Sequence, residues 1–373
     1  MIASGKAFVR IAQLRGRVAQ LARGGRYDVA LDLLDELIRA DLTLGLPADA
    51  LLRARQAAAL ADGRGEPVAG PLAVLAATCL TANALEEAVA ASATAIARAL
   101  PSERARIEPM ARLVGGAAQR RLGHYAEAHI LLDAARGAAA RLGETALAGF
   151  ALVELAWVDL AEDRPAAAAT CFEFGAEFLR RAGHSANIDA DALAVAAWAA
   201  ASEIDRATER GAIASDAARM AQRLELVAYI DGVLADLVLR AAPEAATEAC
   251  ALAAESATEL DAARPATRTH DHSAKTQLAR ELVAQARLRQ ARTSQDRADR
   301  DRHFEAGIDL VMALDKPRAS ARLGALLFDL IDDAERSTRN PEPSEMERVV
   351  TAITTLGDEP LVEMARNVLQ EFG

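Results

Sequence analysis

The clearest pattern in the chain runs from Met110 to Leu142. Small residues, Gly115, Gly116, Ala117 and Ala118, sit at the middle of a first helical stretch, where a neighbouring helix can approach closely. Gly123 ends that stretch, because glycine enters the left-handed conformation without a Cβ penalty. Tyr125, Ala128, Leu132 and Ala135 then return at helical spacing and line one face of a second helix. Such a hairpin cannot bury its apolar face alone and requires copies of itself on either side.

Copies are present. Gly25-Arg26-Tyr27-Asp28-Val29-Ala30 repeats the Gly-x-Tyr-x-x-Ala turn, with Leu34 placed after Ala30 as Leu132 is after Ala128. Degraded versions stand at Asn83–Ala88 and Asp163–Ala168, so that Ala88, Ala128 and Ala168 are 40 residues apart. Phe172 and Gly175 hold the large and small positions of the third copy. The interval from Ala30 to Ala88 leaves room for one more helix, expected at Asp49–Ala61. After Ala168 the copies blur. Asn187–Arg206 reads as a first helix, Gly211-Ala212-Ile213 as a turn, and Ala241-Ala242-Pro243 as the opening of a helix.

Gly116, Gly123, Tyr125, Ala128, Leu132 and Ala135 fall at the spacing of a known signature, and the chain resembles the tetratricopeptide repeats in the long, bacterial form of that hairpin. The tryptophan and proline usual in that family are missing from this copy. The resemblance implies an all-α fold, a right-handed α-solenoid of about 16–18 antiparallel helices stacked in order. The solenoid is expected over residues 1–330, with a possible break near 262–274 at the loop Arg264–His272, and residues 331–373 as C-terminal capping helices, Ser344–Leu356 and Glu359–Phe372. Lys275–Ala313 reads as one exposed, highly charged hairpin.

Composition agrees with this fold and narrows the function. Hydrophobic residues make up 52% of the 373, but aromatics only 3%, so alanine and leucine build the interior and close helix packing is favoured over sheets. A net charge of −11 argues against a phosphate-binding surface, hence no nucleic-acid partner. Lysine occurs only at Lys6, Lys275 and Lys316, a coding bias toward arginine that lowers the weight of any single arginine. Pro67–Leu85 carries no charge, but its prolines, Gly70 and Asn83 make it a buried helix with an entry loop, not a membrane span. Cys79, Cys171 and Cys250 are odd in number and far apart, which fits a reducing, cytoplasmic setting.

No nucleotide-loop, nucleophile-elbow or zinc-protease motif occurs, and the pairs Glu86-Glu87 and Asp332-Asp333 diverge around their helices. No enzyme, cofactor or metal is expected. His270-Asp271-His272, with His303, lacks the further ligands of a tetrahedral site and reads as a solvated loop. His124 takes a turn position that any polar residue fills. Carried over residue by residue, the resemblance places Arg15 and Arg23 of the first copy, Leu113, Arg120 and Arg121 of the second, and Val153, Trp157 and Leu160 of the third on a concave groove that binds a partner protein or peptide. A tryptophan there is an anchor or a packed interior residue; arginines there clamp carboxylates or form a solvated face. The Lys and Asn residues of the family's chaperone clamps are absent. A solenoid that changes shape around a signalling peptide or small molecule is the second reading.

Overall fold

The computed structural model describes residues 13, 14, 16–63, 67–241, 296–335 and 343–372, with isolated positions at 252, 253, 255, 281, 284, 285, 287, 288 and 291. Helices fill almost all of them, and no strand occurs among the described residues. After a helical segment at residues 16–23 come α1 (Tyr27–Thr43), α2 (Pro47–Asp62), α3 (Ala69–Thr81), α4 (Leu85–Arg98), α5 (Pro101–Arg121), α6 (Tyr125–Leu142), α7 (Thr145–Ala161) and α8 (Pro165–Arg181). There follow α9 (Ala186–Ala200), α10 (Ile204–Met220), α11 (Leu224–Ala241), α12 (Arg297–Met312), α13 (Lys316–Glu335), α14 (Pro343–Leu356) and α15 (Glu359–Phe372). The chain forms two compact units, Met1–Ala197 and Trp198–Gly373.

One turn is used over and over. Gly123 is left-handed at φ 84°, its N–H bonds the carbonyl of Arg120, and the next N–H, of His124, bonds that of Gln119. This is the paired closure of a Schellman motif, which satisfies carbonyls that the helix end leaves open. The same two bonds and a positive φ recur at Gly25, Gly45, Asn83, Gly143, Asp163, Gly183, Ser202 and Gln222. At all of these turns but Gly183, the following residue caps the start of the next helix. Arg26, Ala84, His124, Arg164 and Glu203 accept from Ala30, Ala88, Ala128, Ala168 and Ala207, alanines that are fully buried. Proline opens α2, α5 and α8, where its missing N–H costs nothing.

In the first unit each helix from α1 to α8 packs antiparallel on the next, and α3 also lies against α5 and α5 against α7; in the second, α10 packs on α11 and each of α12 to α15 on the next. The chain is therefore an all-α solenoid of stacked helical hairpins. Its seams are made of small residues. A Cβ added at Gly115 would stand 2.6 Å from Ser92 Oγ on α4, and one at Gly116 would stand 2.6 Å from Leu132 Cγ on α6. Gly149 of α7 and Gly175 of α8 face each other's carbonyls, 3.1 Å from where either Cβ would be. Arginines staple neighbours together outside these seams: Arg55 to Glu87 at 2.9 Å, Arg98 to Asp62 at 2.8 Å, and Arg180 to Asp191 at 2.7 Å.

Expected α2, the uncharged α3, and α14 and α15 all appear as helices. Three local expectations change. The helix α2 takes a place of its own in the stack, so α1 counts with α3, α5 and α7, and the first sequence copy is half a hairpin out of register with the others. Ile38 and Leu42 of α1 accordingly share a cluster with Leu75 and Cys79 of α3. Gly211 does not turn; it lies inside α10, where a Cβ would stand 2.5 Å from Leu234 Cδ1, and the turn is at Ser202. The charged stretch around α12 is not an exposed hairpin, because Ala284, Ala291, Phe304, Ile308 and Val311 are buried in one cluster with Leu323, Leu327, Val349 and Ile353. The loop His270-Asp271-His272, the expected break at 262–274 and the helix opening at Pro243 lie outside the described residues.

Gln222 holds φ 57°, a conformation that costs a side chain about 1–2 kcal/mol relative to glycine. Gln222→Gly, after its larger loss of chain entropy, should stabilise the second unit by about 0.5–1 kcal/mol. Gly175→Ala should destabilise the first by about 1–3 kcal/mol, since the obstacle is backbone that cannot step aside. Urea unfolding of each variant checks both; opposite signs would refute the turn and seam assignments.

Candidate protein-binding face

The helix α7 carries a half-buried apolar stripe, Phe150, Val153, Trp157 and Leu160, at intervals of three and four residues. The opposite side of the same helix, Ala148, Gly149, Ala151, Leu152, Leu155, Ala156 and Val158, is buried. Phe150, Val153 and Trp157 are each fixed from below. Phe150 meets the ring of His184 edge-on with centroids 4.9 Å apart. Val153 packs on the cluster of Ala176 and Leu179. Trp157 stands edge-to-face on Phe172, centroids 5.5 Å apart, and Phe172 itself has no exposed surface. Edge-to-face contact sets the indole's angle as well as adding about 0.5–1.5 kcal/mol beyond its burial.

Arg120 reaches this stripe from α5. Its Nε donates to Glu154 Oε2 at 2.8 Å, and its guanidinium carbon lies 5.9 Å from the centre of the Trp157 ring. The cation is therefore neutralised by a carboxylate of α7 and held beside an aromatic face. Arg121, one residue on, points elsewhere. It donates to the carbonyl of Leu80 at 2.9 Å and to Asn83 Oδ1 at 2.9 Å, and so caps the C-terminus of α3.

The residues singled out from sequence thus divide. Val153, Trp157, Leu160 and Arg120 come together on adjoining helices. Leu113 is a core residue, packed with Ala128, Leu132, Ala151 and Leu155, because the small residues beside it draw α6 and α7 inward. Arg121 is exposed but committed to a helix end, not presented as a carboxylate clamp. Arg23 is exposed and donates to Ala19 O at 3.1 Å; its helix precedes α1 and counts with the second members of hairpins, so the family position carried to it does not apply. Arg15 lies outside the described residues. Trp198 is interior, only 4% exposed, with Arg206 4.6 Å over its ring. Sequence reasoning missed Glu154 and Phe172 as partners of the stripe. The signal was there: Glu154 precedes Trp157 by one helical turn.

No group of three His, Cys, Asp or Glu among the described residues could hold a metal. His303 receives a hydrogen bond at Nδ1 from Arg287 at 2.9 Å, and burial first, then the Arg287 charge, pushes its pKa down. Burial pushes both the Cys79 and Cys171 thiols up to about 11, so neither is a ready nucleophile at neutral pH. No described helix is long and apolar enough to cross a membrane.

No family model matches the chain, and no curated protein matches it. Solved structures similar to it include a circular tandem repeat protein with novel repeat topology and enhanced subunit contact surfaces, at 15% identity and TM-score 0.29, over 97% of this chain and 91% of that one. They also include the TPR domain of P58(IPK), at 11% identity and TM-score 0.28, over 97% and 99%. Both are repeat proteins; at these scores the alignments carry no argument about function, which rests on the residues above.

The Arg120–Glu154 pair is about three-quarters buried on both sides. A double-mutant cycle with Arg120→Ala and Glu154→Ala should return a coupling of about 0.5–1 kcal/mol, and none if the two are independently solvated. Carbamidomethylation of Cys79 and Cys171 by iodoacetamide at pH 8 should be at least tenfold slower in the folded protein than in urea; equal rates would contradict their burial.

Proposed function

We propose that this chain is a non-catalytic scaffold or adaptor that captures a partner protein or peptide on the face formed by α5 and α7. We infer that it is built from bacterial-type tetratricopeptide-like hairpins of about 40 residues, the even interval between Gly123, Asp163 and Ser202 supporting that unit. The observation that carries the reading is Trp157. It keeps part of its ring open while Phe172 fixes it from below and the Arg120–Glu154 pair fixes it from the side. An indole already locked in place loses little freedom on binding, and aromatic anchors of that kind dominate interface energetics. Val153 and Leu160 extend the apolar contact along the helix, and Arg120 offers its remaining N–H groups to backbone carbonyls or side-chain acceptors of the guest. A protein partner in the cytoplasm fits an acidic chain better than nucleic acid does.

The test is affinity capture from the native cell with Trp157→Ala beside wild type, and Ile130→Ala, an exposed site on α6, as control. Arg121 is a poor target, because its loss uncaps α3. Partners retained by wild type and Ile130→Ala but lost, or weakened at least tenfold, with Trp157→Ala support the site. Undiminished capture by Trp157→Ala removes α7 from the interface.

A further inference from the structure

His303 of α12 meets a cation, and the meeting requires a neutral ring. Arg287 Nη1 lies 2.9 Å from His303 Nδ1. A guanidinium has donors and no acceptor, so Nδ1 supplies the lone pair and the ring's own proton sits on Nε2. Whatever else Arg287 bonds, the nitrogen it reaches is the one that an added proton would take.

Packing beside this contact is close and apolar. Leu288, next to Arg287, fills the notch that glycine leaves at Gly307, one helical turn after His303; a Cβ there would stand 2.8 Å from Leu288 Cδ2. Ala284 and Ala291 are buried in the same cluster as Phe304, Ile308 and Val311. The charges acting on the ring come from two sides. Arg287 stands across the contact, while on α12 itself Asp299 and Arg302 pair with each other at 2.6 Å. The helices packed on α12 send their arginines to other partners, Arg322 of α13 to Glu281 and Arg348 of α14 to Asp301. Burial first, then Arg287, holds the imidazole pKa below its usual 6.5. The unfolded chain therefore takes up this proton before the folded one does. Stability from the neutral ring is complete above about pH 6.5 and is lost as the pH falls below it. We propose that the Arg287–His303 contact is a pH-sensitive switch in the second unit: a proton from solvent, bound at Nδ1, ends the hydrogen bond, sets two cations side by side and drives Leu288 out of the notch at Gly307.

The test uses the full chain. Hydrogen-exchange protection of the α12 amides, taken relative to the free-peptide rate at each pH, should fall at least tenfold between about pH 7.5 and about pH 5, since one hydrogen bond to a charged group is worth that much. Constant protection overturns the proposal. His303→Gln, whose side-chain oxygen accepts from Arg287 without titrating, should keep its protection at both; an equal fall there would assign the effect to other groups and overturn the switch. Should that variant fail to fold, Arg287→Gln, which keeps a donor and drops the cation, should shrink the fall at least threefold, and an undiminished fall overturns it. Histidine NMR reads the group directly. The His303 resonance should titrate below about 6.5 in wild type and move up in Arg287→Gln. A wild-type midpoint at or above about 6.5, or one that Arg287→Gln leaves in place, overturns the assignment.

Discussion

The rest of the structure depends on how the chain reverses direction. Nine turns built around a left-handed residue close the old helix with two carbonyl bonds, and all but the one at Gly183 open the new helix after a single further residue. Little is left over for a loop, so at seven of these turns an alanine four residues beyond that further residue, at 30, 50, 88, 128, 148, 168 and 207, arrives at the same buried depth. That regularity is what allows glycine to face glycine at Gly149 and Gly175, and Gly116 to sit under Leu132. A turn longer by one residue would rotate the next helix by about 100°, and would carry its small face away from the seam.

Close seams in turn decide what remains for binding. Because the backbones approach where side chains are smallest, larger side chains on the same helices are pushed to the flanks. On α7 the small side holds Ala148, Gly149, Ala151 and Ala156, and the flank holds Phe150, Val153, Trp157 and Leu160. The site and the packing are thus two sides of one helix. In a solenoid each unit answers mainly to its neighbours, so the flank of one helix is free to vary while its seam is not.

Much of this was legible in the sequence, for reasons that also mark the limits. Glycine at 25, 123 and 143 signals a left-handed turn, and Asn83 and Asp163 are the residues next most tolerant of it. Ser202 and Gln222 carry no such signal; tertiary packing forces them into the same geometry, and their turns could not be read. Gly211 was read as a turn because composition does not distinguish a glycine that bends from one that lets Leu234 in. The arginines failed for a different reason. Arg120 and Arg121 are adjacent, yet one lies against a tryptophan and the other caps α3, two helices before its own, and only coordinates say which partner each has. Partial exposure of Trp157 was undecidable from spacing, since a groove residue and a core residue share the same helical period.

The Asp41–Arg53 pair shows where a solenoid can accept such an expense. Buried ion pairs are poor sources of stability, because desolvation offsets most of their attraction. Had this pair served only to hold α1 and α2 together, the arrangement with the least penalty would bring two guanidinium nitrogens against both carboxylate oxygens. Instead one oxygen, Asp41 Oδ1, is buried without a hydrogen-bond partner. In a single globular core that cost would fall on the whole domain. Here it falls on two helices and their immediate contacts, while the α5–α7 seam stands apart from it. Local energetics therefore permit an incompletely paired polar centre at one place and a fixed aromatic side chain at another within the same unit.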